Sequence, residues 1–195
     1  MNIIIRKEEK KDYKTVEQIT KEAFYNEKDL EEKGYPAVEP YLVHQLRKKD
    51  GNIDLSLVAT LNDEVVGHII YSKAYILTEE NNKIDTLIFG PVSVRKNYQN
   101  QGIGTRLITE SIKIAIDYGY GAIIIFGHPN YYPRFGFVPA SNFCISTKEG
   151  HNFDAFMALE LKKGYLSEKK GKFYASDIFD EEAQHEQILD YYKKH

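Results

Sequence analysis

Apolar residues change their spacing several times along this chain, and each change predicts an element. Ile3-Ile4-Ile5 is a short apolar run that predicts a strand. Val16, Ile19 and Ala23 recur at intervals of three and four, the period of an amphipathic helix, with Asp12 placed to cap it. Gly34-Tyr35-Pro36 interrupts the pattern, and Leu42, Val43 and Leu46 predict a second helix. The β-rich runs Leu55 to Leu61 and Val65 to Tyr71 flank Asn62-Asp63, a hairpin signature. Asn81-Asn82 marks a turn before the strand-like run from Leu87 to Val94. From Ile103 to Tyr118 the residues Ile103, Leu107, Ile108, Ile112, Ile114 and Ala115 form the broad apolar face of a helix packed on a sheet, ended by Gly119 and Gly121. Ala122 to Phe126 is continuously apolar, as in a central strand covered on both faces. Strands are also predicted from Gly136 and over Phe156 to Leu161, and a last helix in the tail that begins at Asp180 and includes Ile188 and Tyr191.

This order predicts an α/β (α+β) fold, with a mixed, largely antiparallel central sheet and flanking helices. Residues 1–165 read as one domain. Residues 166–195 read as a C-terminal extension whose helix packs on that domain. A hydrophobic fraction of 42% is ordinary for a globular chain of 195 residues, which is long enough to bury a core. A net charge of −3 argues against a general nucleic-acid binder. The single cysteine, Cys144, forbids an internal disulfide and fits a reducing compartment. Met1 to Lys7 turns charged too early for a secretory signal, and no apolar run approaches the roughly 20 residues of a membrane span. The expectation is a soluble cytoplasmic protein with no membrane partner. No cysteines or histidines have zinc-site spacing, so no metal is expected. Cys144, between Phe143 and Ile145, is expected to be a buried thiol. The basic stretches Lys162-Lys163 and Lys169-Lys170-Gly171-Lys172 read as solvated loop.

The chemistry concentrates at Gln99-Asn100-Gln101-Gly102-Ile103-Gly104-Thr105, between a predicted strand and a predicted helix. Two glycines there let the backbone approach a ligand, and the first amides of a helix favour an anion. A phosphate or pyrophosphate suits such a turn. The spacing is not that of a P-loop, because Gly104 is followed by Thr105-Arg106 rather than Lys-Ser/Thr. Nor is it a dinucleotide fingerprint, because Leu107 stands where the third glycine belongs. What remains is Gln-x-x-Gly-x-Gly, which on its own reads equally as an ordinary glycine-rich turn.

The flanks decide between these readings. Upstream stands Ile88-Phe89-Gly90-Pro91-Val92-Ser93-Val94, and downstream Asn130-Tyr131-Tyr132-Pro133-Arg134-Phe135-Gly136-Phe137. In that order, the Gln99-to-Gly104 turn and the Tyr132-x-x-x-Gly136-Phe137 segment resemble the GNAT superfamily of N-acetyltransferases, and within it a small bacterial-type subgroup. The likeness is dense from about Val65 to Phe137. The resemblance implies a sheet with two central strands splayed into a V for the cofactor, acetyl-CoA. The cofactor's pyrophosphate needs backbone donors, which the turn from Gln101 to Thr105 supplies, and Gln99, Asn100, Gln101, Gly102, Ile103, Gly104 and Thr105 are the expected cofactor-binding residues of this loop. The pantetheine arm falls to Val92, Ser93 and Val94, with Gly90-Pro91 bending the strand so that backbone groups face the ligand. Val92 N–H is the candidate oxyanion donor. Tyr132 is carried over as the general acid for the departing thiolate, with Tyr131 as the alternative.

Glu39, His68 and His128 are the residues placed for the general base, directly or through water. Of these Glu39 is the one assigned, although an acidic residue opening a helix also serves the helix dipole. The expected reaction is acetyl transfer to a primary amine by direct attack in a ternary complex. The alternative is a catalytically inactive acyl-CoA sensor or scaffold. The acceptor, a small molecule or peptide amine, would be chosen by the loops Phe24 to Pro40 and Ser141 to Asn152. Relatives of this kind also suggest a homodimer.

Overall fold

The computed structural model describes residues 2–49 and 51–195. The helices are α1 (Tyr13–Phe24), α2 (Glu27–Lys33), α3 (Glu39–Lys48), α4 (Ile103–Asp117) and α5 (His185–Lys194). The strands are β1 (Ile3–Lys7), β2 (Gly51–Leu61), β3 (Glu64–Thr78), β4 (Lys83–Val94), β5 (Ala122–Phe126), β6 (Val138–Pro139), β7 (Ile145–Thr147), β8 (Phe156–Glu160) and β9 (Gly171–Tyr174). The sheet runs β1-β2-β3-β4-β5-β8-β6, with β9 pairing β3 and β7. Pairs β1–β2, β3–β9, β5–β8 and β6–β8 are antiparallel, whereas β4–β5 and β7–β9 are parallel. The mixed, mostly antiparallel architecture is therefore as expected. No helix of the described residues is long and apolar enough to cross a membrane.

Contacts divide the chain into two compact units. The first comprises Met1–Tyr71, Gly90–Ser111 and Asp177–His195. Its core gathers Val16 and Ile19 of α1, Tyr41, Val43 and Leu46 of α3, and Ile188 and Tyr191 of α5. The β2–β3 hairpin turns at Asn62 and Asp63, with φ of 50° and 63°, the pair of left-handed residues that a two-residue hairpin favours. Helix α2 escaped the hydrophobic pattern because its sequence, EKDLEEK, carries one apolar residue. Its ends are set locally instead. Asn26 accepts from the amides of Lys28 and Asp29, and Gly34 closes it at φ 83°. Asp12 does precede α1, but its carboxylate does not cap it. It accepts from Arg6 at 2.6 and 2.9 Å and from the Glu9 amide at 2.9 Å, tying β1 to the helix start. The ion pair outcompetes the cap because a charge-assisted, two-pronged contact is the stronger one.

The second unit comprises Ser72–Phe89 and Ile112–Ser176. Its spine is β5, which registers with β4 at Leu87↔Ile123 and with β8 from Ala122↔Glu160 to Phe126↔Phe156. Residues Ala122 to Ile125 are buried, as a strand covered on both faces requires, but Phe126 is 51% exposed. Two further expectations are corrected here. The basic stretch Lys169–Lys172 is not all loop, since Gly171–Tyr174 forms β9 with the buried Phe173 as its anchor. A Cβ at Gly171 would lie 2.2 Å from the Leu77 carbonyl oxygen, so only glycine permits this strand approach. Cys144 is exposed rather than buried. It sits at φ 56° after a short 3-10 turn, where Ile145 turns inward without it.

Candidate active site

Alternation along β4 buries Pro91 and Ser93 and leaves Val92 and Val94 half-exposed. Ser93 Oγ meets Thr20 Oγ of α1 at 3.0 Å, so this strand end is pinned from within. Behind it, Gly67 of β3 clears a path for α4. A Cβ there would stand 3.0 Å from the Ser93 carbonyl oxygen and 3.1 Å from Leu107. The absence of a side chain lets the first turns of α4 lie against the strands.

Between β4 and α4 the loop is held by its own glutamines. Gln99 Nε2 donates to the Val94 carbonyl at 3.0 Å, and Gln101 Nε2 donates to the Asn97 carbonyl at 3.0 Å. Both side chains, though exposed, fold back on the loop's own carbonyls. Asn100 and Gly102 take φ of 59° and 80°. A Cβ at Gly102 would meet nothing within 4 Å, so the space beside it is open. Arg106 N–H donates to the Gly102 carbonyl at 3.0 Å, which makes Gly102 the cap. The amides of Ile103, Gly104 and Thr105 therefore lie ahead of the first intrahelical donor. Ile103 is buried and Arg106 Nη2 reaches the Ile3 carbonyl at 2.8 Å, fixing the direction in which those amides point. The residues present fit a diphosphate: main-chain donors, a helix dipole and open space beside Gly102.

Glu39 opens α3 in the same unit. Burial raises its carboxyl above the ordinary range, partly opposed by the amides of Glu39 and Val38, while Glu181 and Asp29 add repulsion. His68 is wholly buried, with Nε2 3.2 Å from Ser56 Oγ and 3.5 Å from Glu8. Burial lowers its pKa, opposed by the nearby Glu8, and its Nδ1 has no hydrogen-bond partner among the described residues. It belongs to a structural network with Glu8 and Arg47. Hydrophobic periodicity did not reveal that network, because its members come from β2, β3, α3 and the segment after β1.

In the second unit, Tyr132 begins a short 3-10 turn, Tyr132–Phe135. Gly136 closes the turn at φ 93° and returns the chain to the buried Phe137. This accounts for the Tyr-x-x-x-Gly-Phe spacing: one tight turn, a left-handed exit and a core anchor. The Tyr132 ring packs 5.8 Å from that of Phe89 and 5.7 Å from that of Phe137. A Cβ at Gly127 would lie 2.4 Å from it, so Gly127 makes its seat. Burial pushes the Tyr132 hydroxyl up to about 12. Tyr131 lies under the Arg134 guanidinium, 4.5 Å from its ring centroid. His128 is exposed and accepts from the Asn130 amide at 3.2 Å. Gly67 and Gly127 were missed as positional residues; each stands in or beside an apolar strand run, the available signal for close approach.

The sequence model of the acetyltransferase (GNAT) family matches residues 13–137. The chain belongs to the GNAT acetyltransferase family. The curated protein named uncharacterized N-acetyltransferase YhbS from Escherichia coli (strain K12) is 33% identical over 105 residues, 53% of this chain. That alignment spans 60% of the relative's own length. Among solved structures, the YhbS GNAT N-acetyltransferase from Escherichia coli, in complex with CoA, superposes with a TM-score of 0.79 at 23% identity. The superposition covers 92% of this chain and 93% of that one. A GNAT acetyltransferase from Brucella melitensis, in complex with acetyl-CoA, gives 0.69 at 27% identity, covering 92% and 99%.

Proposed function

We propose that the protein transfers an acetyl group from acetyl-CoA to a primary amine by direct attack in a ternary complex. The observation that carries this reading is the open, donor-lined start of α4 following β4, in a chain of the GNAT family. The solved relatives that hold CoA and acetyl-CoA support the choice of ligand. When bound, acetyl-CoA supplies the activated acyl group as a thioester.

The chain's own residues divide the remaining work. The backbone of Gln99 to Thr105, above all the amides of Ile103, Gly104 and Thr105, holds the diphosphate. The backbone at Val92 to Val94, whose two valines are half-exposed, pairs with the amides of the pantetheine arm. Val92 N–H faces the carbonyl oxygen where negative charge develops, a role that contributes about 2.7–4 kcal/mol in enzymes from which such a donor was removed. Glu39, whose raised pKa keeps it a competent base nearer neutrality, takes the proton of the attacking ammonium. Tyr132 donates to the departing sulfur. Its hydroxyl stays protonated at pH 7, yet at about 12 it is a weaker acid than a thiol, near 8.5. Complete proton transfer from that phenol to a free thiolate is uphill whatever its timing, and the second proton that the attacking nitrogen sheds as the amide forms restores the phenol, so the protons balance.

The test is thiol release from acetyl-CoA against a panel of small amines and amine-bearing peptides, with CoA binding measured in parallel. Amine-dependent release supports the reading. Tight CoA binding with no release for any amine would instead favour an acyl-CoA sensor.

A further inference from the structure

A second chemically competent cluster lies in the first unit, where α1, α3 and α5 meet. Glu17, His44 and His195 each place one ligand atom within 4.8 Å of the other two. His44 Nδ1 stands 3.2 Å from Glu17 Oε1. A tetrahedral site with bonds of about 2.0–2.1 Å has edges of roughly 3.3 Å, so these two atoms already have the spacing of neighbouring ligands. His195 Nδ1 lies 3.0 Å from the Tyr191 carbonyl oxygen. A carbonyl only accepts, so that nitrogen carries the proton and Nε2 keeps its lone pair. This is the backbone hydrogen bond that metal-ligating histidines commonly use to fix their tautomer. The His44 and His195 rings are 4.8 Å apart.

The surroundings suit a cation. Arg47 pairs with both Glu8 and Glu17, its Nη1 2.6 Å from the same Glu17 Oε1 that faces His44, so an ion would share that oxygen with the guanidinium. The two carboxylates on one guanidinium leave one negative charge in excess. Lys48 is the other cation near His44, and it is exposed and screened by solvent. Tyr191 hydroxyl donates to Glu17 Oε2 at 3.1 Å, orienting the carboxylate from behind.

We propose that Glu17, His44 and His195 form a transition-metal site of the zinc type, with a fourth position left to water. Two imidazoles and a carboxylate are a donor set for Zn²⁺, Ni²⁺ or Cu²⁺ rather than for Ca²⁺ or Mg²⁺. The ion takes the place of the proton between His44 Nδ1 and Glu17 Oε1, the neutral ring then carrying its one proton on Nε2. Its structural effect is to clamp the end of α5 onto α1 and α3. Helix α5 also carries Tyr192, whose hydroxyl donates to the Ala37 carbonyl at 2.8 Å, beside the start of α3.

The experiment is calorimetric titration of chelator-treated protein with ZnCl2, in a Cys144→Ser background that removes the exposed thiol as a competing ligand. One saturable site is expected, with a zinc-dependent rise in melting temperature. His195→Ala, at an exposed position, should weaken binding by more than about tenfold and abolish that rise, since even an outer-shell partner is worth this much. His44→Gln should do the same, and if it fails to fold, His195→Ala carries the test alone. Absence of saturable binding, or affinity unchanged in His195→Ala, overturns the proposal.

Discussion

The loop at Gln99–Thr105 and the turn at Tyr132–Phe135 are both short, glycine-bounded segments, but they are built on opposite principles. In the first, side chains serve the backbone: two glutamines brace the loop so that main-chain amides are presented. In the second, the backbone serves a side chain: Gly127 and Gly136 bend and clear space so that one phenol can be seated among aromatic rings. A site made of amides tolerates most side-chain changes and fails when its space is filled. A site made of one hydroxyl tolerates reshaping of its rim and fails when one atom is lost.

The sharpest way to break this comparison is to fill the first region. Gly104→Glu places bulk and negative charge among the amides, and CoA binding by calorimetry should fall by more than about 100-fold, with the melting temperature little changed. At the second region, Tyr132→Phe keeps the ring and removes the hydroxyl. Turnover should fall by about 10²–10⁴-fold while CoA affinity stays within a factor of three. Equal loss of both quantities in either variant would erase the distinction. A smaller effect is expected from Gln99→Ala, which removes one brace. The loss of a hydrogen bond worth about 1 kcal/mol should weaken CoA roughly fivefold without altering turnover at saturation.

The smallest effect tests whether the buried network is scaffold rather than site. Burial alone would raise the Glu8 carboxyl, but His68 and Arg47 hold it at about 2 instead of its ordinary 4.5. A depressed folded pKa means stability that is present above about pH 4.5 and lost as pH falls towards 2. Melting temperature should therefore drop across that window, and Glu8→Gln, already destabilised, should show a flatter profile there. Acetyl transfer near neutral pH should not track it.

What could be read in the sequence follows the same division. The glycines of the α4 turn and the apolar period of α4 itself point to the proposed amide-built site, because backbone conformation is what glycine reports. The strands Leu55–Leu61, Val65–Tyr71 and Ala122–Phe126 were legible as apolar runs and appear within β2, β3 and β5. Helix α2 was not, because its stability comes from an asparagine cap and a left-handed glycine rather than from an apolar stripe. Strand β9 was hidden by its lysines, since one buried residue, Phe173, and pairing to β3 suffice to hold it. The raised pKa of Tyr132 could not be read at all. It depends on Phe89, Phe137 and Gly127, which converge on the ring from three places in the chain.

The most direct test of the central claim follows backbone amide resonances while CoA is added. The amides of Gly102, Ile103, Gly104 and Thr105 should show the largest shifts and saturate together with the calorimetric binding curve. Saturable CoA binding that leaves those four signals unmoved would contradict the account.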